Sequence, residues 1–229
     1  MCPAPWRHGR LETAYPGRRS TGATARCRLG STALASAAEP ARSRGRSMID
    51  VILERDFERP LESPLVRSLT EAAQPCFDLY RIQWQESLLA RDGRRLVCHF
   101  QAPDIESARI GLRQAGADIS SLWGGSVHDP PGLKATELAT ANVLVERHFA
   151  APVTFEAIQA LENAGAACLS NHRVRFLRSH FSLDRRRMHC LYQAPDAESV
   201  RLAQHQAGMP VSRIWAFQRI APADTTAQP

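Results

Sequence analysis

The side chains best suited to chemistry in this 229-residue chain interrupt short apolar stretches. Glu54 and Asp56 break the run Val51-Ile52-Leu53-Glu54-Arg55-Asp56-Phe57, and Glu146 and His148 break Val143-Leu144-Val145-Glu146-Arg147-His148-Phe149. His99 and His189 stand inside two further alternating stretches, Leu96 to Gln101 and Met188 to Gln193. Imidazoles beside carboxylates suit a borderline divalent ion such as nickel or zinc. The candidate metal ligands are therefore His148, Glu146, Glu54, Asp56, His99 and His189. Burying a carboxylate is costly unless a cation meets it, so Glu54 and Glu146 either pair with Arg81 and Arg173 or line a pocket. Arg81 and Arg173 are also candidate anion-binding groups, with Trp123 and Trp215 as aromatic walls of the same site. No His-x-x-x-His or H-E-x-x-H spacing sharpens the metal case. Dinucleotide, nucleoside triphosphate and serine-hydrolase chemistry lack their local signatures, since no G-x-G-x-x-G, Gly-Lys-Ser/Thr or G-x-S-x-G occurs.

These residues come in matched pairs because the chain repeats itself. Cys98-His99-Phe100-Gln101-Ala102-Pro103-Asp104 returns 92 residues later as Cys190-Leu191-Tyr192-Gln193-Ala194-Pro195-Asp196. Extended without a gap, this offset aligns Val51 to Pro130 with Val143 to Pro222, with 27 of 80 positions identical. Each copy reads as a strand, then a helix with apolar residues at helical spacing (Leu65, Val66, Leu69, Ala72, Ala73; then Ala157, Ile158, Leu161, Ala164). Two alternating strands follow, Tyr80 to Gln85 and Leu96 to Gln101, then His172 to Phe176 and Met188 to Gln193. Asp92-Gly93 marks a tight turn between the first pair. Ala-Pro-Asp ends the third strand and offers Asp104 or Asp196 as the N-cap of a second helix, which stops at Gly116 or Gly208. A fourth strand closes each copy, Ile119 to Val127 and Val211 to Ile220.

The order βαββαβ, twice, predicts an α+β protein. It implies two tandem ferredoxin-like domains, each a four-stranded sheet with helices on one face, packed through their open faces as a pseudo-dimeric α/β barrel-like pair. The expected boundaries are a leader at 1–47, repeat 1 at 48–129, a linker at 130–141, repeat 2 at 142–222 and a tail at 223–229. Strand parity then assigns faces. Glu54, Asp56, Glu146 and His148 oppose the dry side of strand 1. Arg81, Gln83 and Ser87, with Arg173, Arg175 and Ser179, oppose that of strand 2. Val97, His99 and Gln101, with His189 and Gln193, do so in strand 3. Trp123 and Trp215 face the same cleft.

Charge and cysteine usage narrow the class. Residues 1–47 hold nine Arg against two Glu, whereas the other 182 residues hold 20 basic and 21 acidic side chains. The body is neutral, which argues against a nucleic-acid partner. The leader, rich in Arg, Ala, Ser and Gly, is expected to be disordered; an upstream start ahead of Met48, a transit peptide and a basic arm are its three readings. No run of 18 apolar residues occurs, so a membrane span is not expected. Cys76 matches Cys168 and Cys98 matches Cys190, with no C-x-x-C, which reads as small buried hydrophobes in a reducing, cytoplasmic compartment.

Glu-Arg-Asp-Phe in strand 1, Trp84 or Phe176 followed by Ser87 or Ser179, Cys-x-Phe/Tyr-x-Ala-Pro-Asp-x-Glu and the later Ala-Gly together resemble a bacterial domain-of-unknown-function family whose members are often labelled nickel-responsive or nickel-binding. The resemblance spans nearly all of both repeats. It implies two tandem copies of a ferredoxin-like domain, a tendency to pair subunits and a divalent metal, Ni(2+) foremost. Two departures stand out: Gln101 and Gln193 replace a Glu that usually precedes Ala-Pro-Asp, and Gly111 and Ala203 replace a helix-2 His, with His205 nearby on another side.

Taken together, the sequence points to a small cytoplasmic protein binding a metal or small ligand between its sheets, as a monomeric pseudo-dimer or a homodimer. The alternative is a cofactor-poor enzyme, a monooxygenase or isomerase, acting on a small aromatic or anionic substrate between Trp123 and Trp215. There His148 or His189 would serve as base and Arg81 or Arg173 would hold an anion.

Overall fold

The computed structural model describes residues 47–222. The expected leader, but for Ser47, and the tail lie outside the described residues, as do Cys2 and Cys27. The first half runs β1 (Ile49–Asp56), α1 (Ser63–Ala72), α2 (Gln74–Leu79), β2 (Gln83–Ala90), β3 (Arg95–Ala102), α3 (Ile105–Gln114) and β4 (Ser121–His128). After the short α4 (Ala135–Leu138), the second half runs β5 (Val143–His148), α5 (Phe155–Ala164), α6 (Ala166–Asn171), β6 (Arg175–Ser182), β7 (Arg187–Gln193), α7 (Ala197–Gln206) and β8 (Arg213–Ile220). The single helix expected after each first strand is split in two.

The strands form one closed antiparallel barrel in the order β1-β3-β2-β8-β5-β7-β6-β4. This corrects the expectation of two ferredoxin-like domains with separate sheets laid face to face. The halves join edge to edge instead, β2 to β8 (Ser87↔Ile220 to Ala90↔Phe217) and β4 to β6 (Gly125↔Ser182 to His128↔Ser179). The physical reason is the edges themselves. Two four-stranded sheets would leave four edge strands with unpaired N–H and C=O groups, and closure removes all four. Gly125 lets the second seam form, because a Cβ there would stand 2.6 Å from the Phe181 carbonyl oxygen.

Since neighbours alternate in direction around the ring, β1 and β5 run the same way. Equivalent residues of the two halves therefore sit at the same end of the barrel. An eight-stranded barrel is just wide enough for side chains to fill. Ile52, Leu88, Val97, Leu144, Leu177, Leu191 and Phe217 are buried there, with Leu138 and Ala141 of the connecting segment. Two separate apolar cores lie between the wall and the helices, one around Val51, Leu53, Phe77, Phe100 and Leu112, the other around Val143, Val145, Ile158, Tyr192 and Val200.

Local signals place these elements. Asp104 Oδ1 accepts from Ser107 N–H at 2.8 Å and Asp196 Oδ1 from Ser199 N–H at 2.7 Å, the expected N-caps of α3 and α7. Gly93, at φ +70, turns β2 into β3, and a Cβ there would lie 2.5 Å from the Leu61 carbonyl oxygen. In β2 and β6 the register against β3 and β7 shifts between Trp84 and Glu86 and between Phe176 and Arg178. Such a bulge inserts one residue and reverses the parity beyond it. Ser87 consequently lies on the helix side, not the expected inner face. Its hydroxyl accepts from the Trp84 indole N–H and donates to Cys98 Sγ, each at 3.0 Å.

Candidate metal centre inside the barrel

Two polar clusters share the interior of the barrel with its apolar side chains. At one end Arg95 of β3 reaches across to the other half. Its Nε and one Nη donate to both oxygens of Glu146 at 2.6 and 2.8 Å, and the other Nη donates to Asp56 at 2.8 Å. Glu54 Oε2 lies 3.4 Å from the same guanidinium. The indole N–H of Trp123 donates to Glu54 Oε1 at 2.7 Å, and that of Trp215 to Glu146 Oε1 at 2.6 Å. His189 Nε2 stands 3.2 Å from Glu54 Oε1. Burial alone would raise the Glu54 carboxyl; the His189 hydrogen bond and charge, the Trp123 N–H and Arg95 outweigh it and hold it at about 2. The carboxylates of this cluster are paired, whereas the ring nitrogens of His189 make no well-formed hydrogen bond.

A second polar cluster in the interior has a different character. Glu86 of β2, His99 of β3 and His180 of β6 are all buried, and one ligand atom from each lies within 4.8 Å of the others. His99 Nε2 meets Asp50 Oδ1 at 2.8 Å, while its Nδ1 has no partner. Asp50 thereby fixes the tautomer that leaves the Nδ1 lone pair free, as outer carboxylates do for metal-binding histidines. Burial tends to raise the Asp50 carboxyl, but the hydrogen bonds from His99 and Gln101 bring it below its ordinary value. Glu86 has one oxygen held by Arg219 Nε and the other, Oε1, buried without a partner.

His180 is buried with both ring nitrogens unpartnered, its ring centroid 4.8 Å from that of His99. Burial, then the nearby His99, His189, Arg178 and His128, push it well below its ordinary pKa, so it is neutral. A neutral imidazole is the form that binds metal. Buried polar atoms are nearly always satisfied. Here Glu86 Oε1, His99 Nδ1 and the His180 nitrogens are orphaned together, and each of the first two is aimed by a partner on its other side. Outside them, Arg178 makes a two-point pair with Asp129 at 2.6 and 2.7 Å.

The residues singled out in the sequence divide between these places. Glu54, Glu146, His189, Trp123 and Trp215 meet in the ion-pair cluster, and His99 belongs to the cluster with Glu86 and His180. Asp56 sits at the rim, with its side chain 65 % exposed. His148 is an exposed rim residue whose backbone N–H donates to Ser212 Oγ. Arg81 and Arg173, expected to pair with Glu54 and Glu146 on the inner face, are exposed outside the barrel at φ 55, just ahead of β2 and β6; Arg95 takes the pairing role. The tryptophans hold Glu54 and Glu146 by their N–H groups. Glu86 and His180 escaped sequence reading because the bulges invert their faces. The available signal was an acid and a histidine after Trp84 and Phe176 in stretches otherwise fit for a dry wall.

Residues 144–216 match the family model described as "Nickel responsive protein SCO4226-like", within the second repeat only. No curated protein matches. Among solved structures, the chlorite dismutase from Candidatus Nitrospira defluvii in complex with imidazole shares 14 % identity at a TM-score of 0.44, covering 76 % of this chain and 91 % of that one. A candidate monooxygenase from Lactobacillus acidophilus NCFM shares 7 % identity at a TM-score of 0.40, covering 75 % and 93 %. Likenesses this distant carry no argument about activity.

Proposed function

We propose that the protein is a divalent-metal-binding protein that holds one ion, nickel or a similar borderline metal, between Glu86, His99 and His180. The observation that carries this reading is the cluster of orphaned donor atoms, one carboxylate oxygen and two imidazoles, in a buried site. Two nitrogens and one oxygen fit nickel and zinc alike. Three protein ligands leave further positions for water or an exogenous ligand. The nickel label of the matched family supports the choice of ion, and the shared motifs support reading both repeats as copies of that family's domain.

The test is metal analysis of tag-free protein after equilibration with nickel and with zinc. One ion per chain, lost in His180→Ala and in Glu86→Gln, is expected. Unchanged stoichiometry in both variants would move the site elsewhere.

A further inference from the structure

A cleft of about 560 Å³ opens on the outside of the barrel in the second half, between α5, α6 and the start of β6. Leu169, Val174 and Phe176 supply its apolar wall, and Glu162 places a carboxylate in it. That carboxylate is poorly matched. Its one hydrogen-bond neighbour is the Cys190 thiol, with Sγ 3.9 Å from Oε1. The buried guanidinium of Arg147 is close enough to act on it electrostatically, but donates instead to the Tyr192 hydroxyl at 3.1 Å, the Gln204 side chain at 3.0 Å and the Pro210 carbonyl. Burial lifts the Glu162 carboxyl above its ordinary range despite Arg147, as expected of an acid without a bonded cation.

The chain carries its own comparison. At the equivalent positions of the first repeat stand Thr70, Phe77 and Trp84 in place of Glu162, Leu169 and Phe176. Thr70 is buried with its hydroxyl spent on the Val66 carbonyl, and Phe77 is fully packed in the core. The second repeat thus has smaller wall residues and an acid where the first has bulk and a satisfied hydroxyl. Of the two cations among the lining residues, Arg175 is tied to Glu137 at 2.6 Å, and Arg173 is exposed and screened by water.

We propose that this cleft is a binding site for a small organic ammonium compound with an apolar body, its ammonium on Glu162 and its body against Leu169, Val174 and Phe176. The site is separate from the interior metal centre and stands or falls without it. The test is an amide-resolved NMR titration of the full chain with phenethylamine and with 2-phenylethanol, which keeps the ring and loses the charge. Phenethylamine is expected to shift the amides of Glu162, Leu169 and Val174 and to bind about tenfold tighter than the alcohol. Glu162→Gln should erase that difference, and Leu169→Phe, which restores the residue of the first repeat, should weaken both probes while leaving the remaining spectrum intact. Equal affinity for the two probes, unchanged affinity in Glu162→Gln, or no shift at these amides would overturn the proposal.

Discussion

His180→Leu separates binding from stability. His180 is buried with neither ring nitrogen hydrogen-bonded, and the first repeat has Leu88 at the equivalent position. An unsatisfied buried donor or acceptor costs about 1–3 kcal/mol, whereas a leucine of similar volume adds no polar debt. The variant should therefore gain about 2 kcal/mol in the absence of metal. For a domain of this size that corresponds to a rise in Tm of roughly 4–8 °C.

The gain should also depend on pH. The unfolded histidine takes up a proton below about pH 6.5, while folded His180 stays neutral to well below that value. Folding therefore excludes a proton that the unfolded chain binds, and the wild type loses about 1.4 kcal/mol per pH unit in this window. The advantage of the variant therefore grows as the pH falls below about 6.5. Added nickel should reverse the ranking, since it stabilises only the wild type. Chemical denaturation at pH 7.5 and pH 5, with and without nickel, reads all of this. A variant less stable than wild type without metal, or equally stabilised by nickel, would refute the view that His180 is kept for an ion.

Three further outcomes follow from the same geometry. Asp50→Asn, which removes the carboxylate orienting His99, should weaken metal affinity about 10–100-fold by isothermal titration without changing stoichiometry. Glu54→Gln should flatten the acid limb of stability: the depressed carboxyl contributes about 3 kcal/mol above pH 4.5 that is lost as pH falls through about 2, and acid titration of unfolding shows whether the variant lacks that slope. Arg95→Met strips the shared cation from Glu54, Asp56 and Glu146, and should cost about 3–5 kcal/mol in urea unfolding.

Much of this arrangement was legible in the chain because it is written locally. The 3.6-residue spacing gave the helices, Asp104 and Asp196 announced their caps, and alternation placed Glu54, Glu146, His99 and His189 on the inner face. Barrel closure was not legible, because pairing β2 with β8 and β4 with β6 satisfies backbone groups that carry no residue-specific mark. The candidate metal centre was half hidden for a different reason. A one-residue bulge inverts every side chain after it, so Glu86 and His180 read as wall residues until Trp84 and Phe176 are seen to end the outward run. Arg81 and Arg173 looked like partners for the interior acids by alternation alone; their left-handed backbone lies ahead of the strands and turns them to solvent.

Anomalous diffraction at the nickel edge, from crystals of tag-free protein grown with nickel, is the most direct measurement of the interior centre. One peak bonded to Glu86, His99 Nδ1 and a His180 nitrogen is predicted. A peak on Glu54, Glu146 or His148, or an interior without any peak beside an occupied surface site, would contradict it.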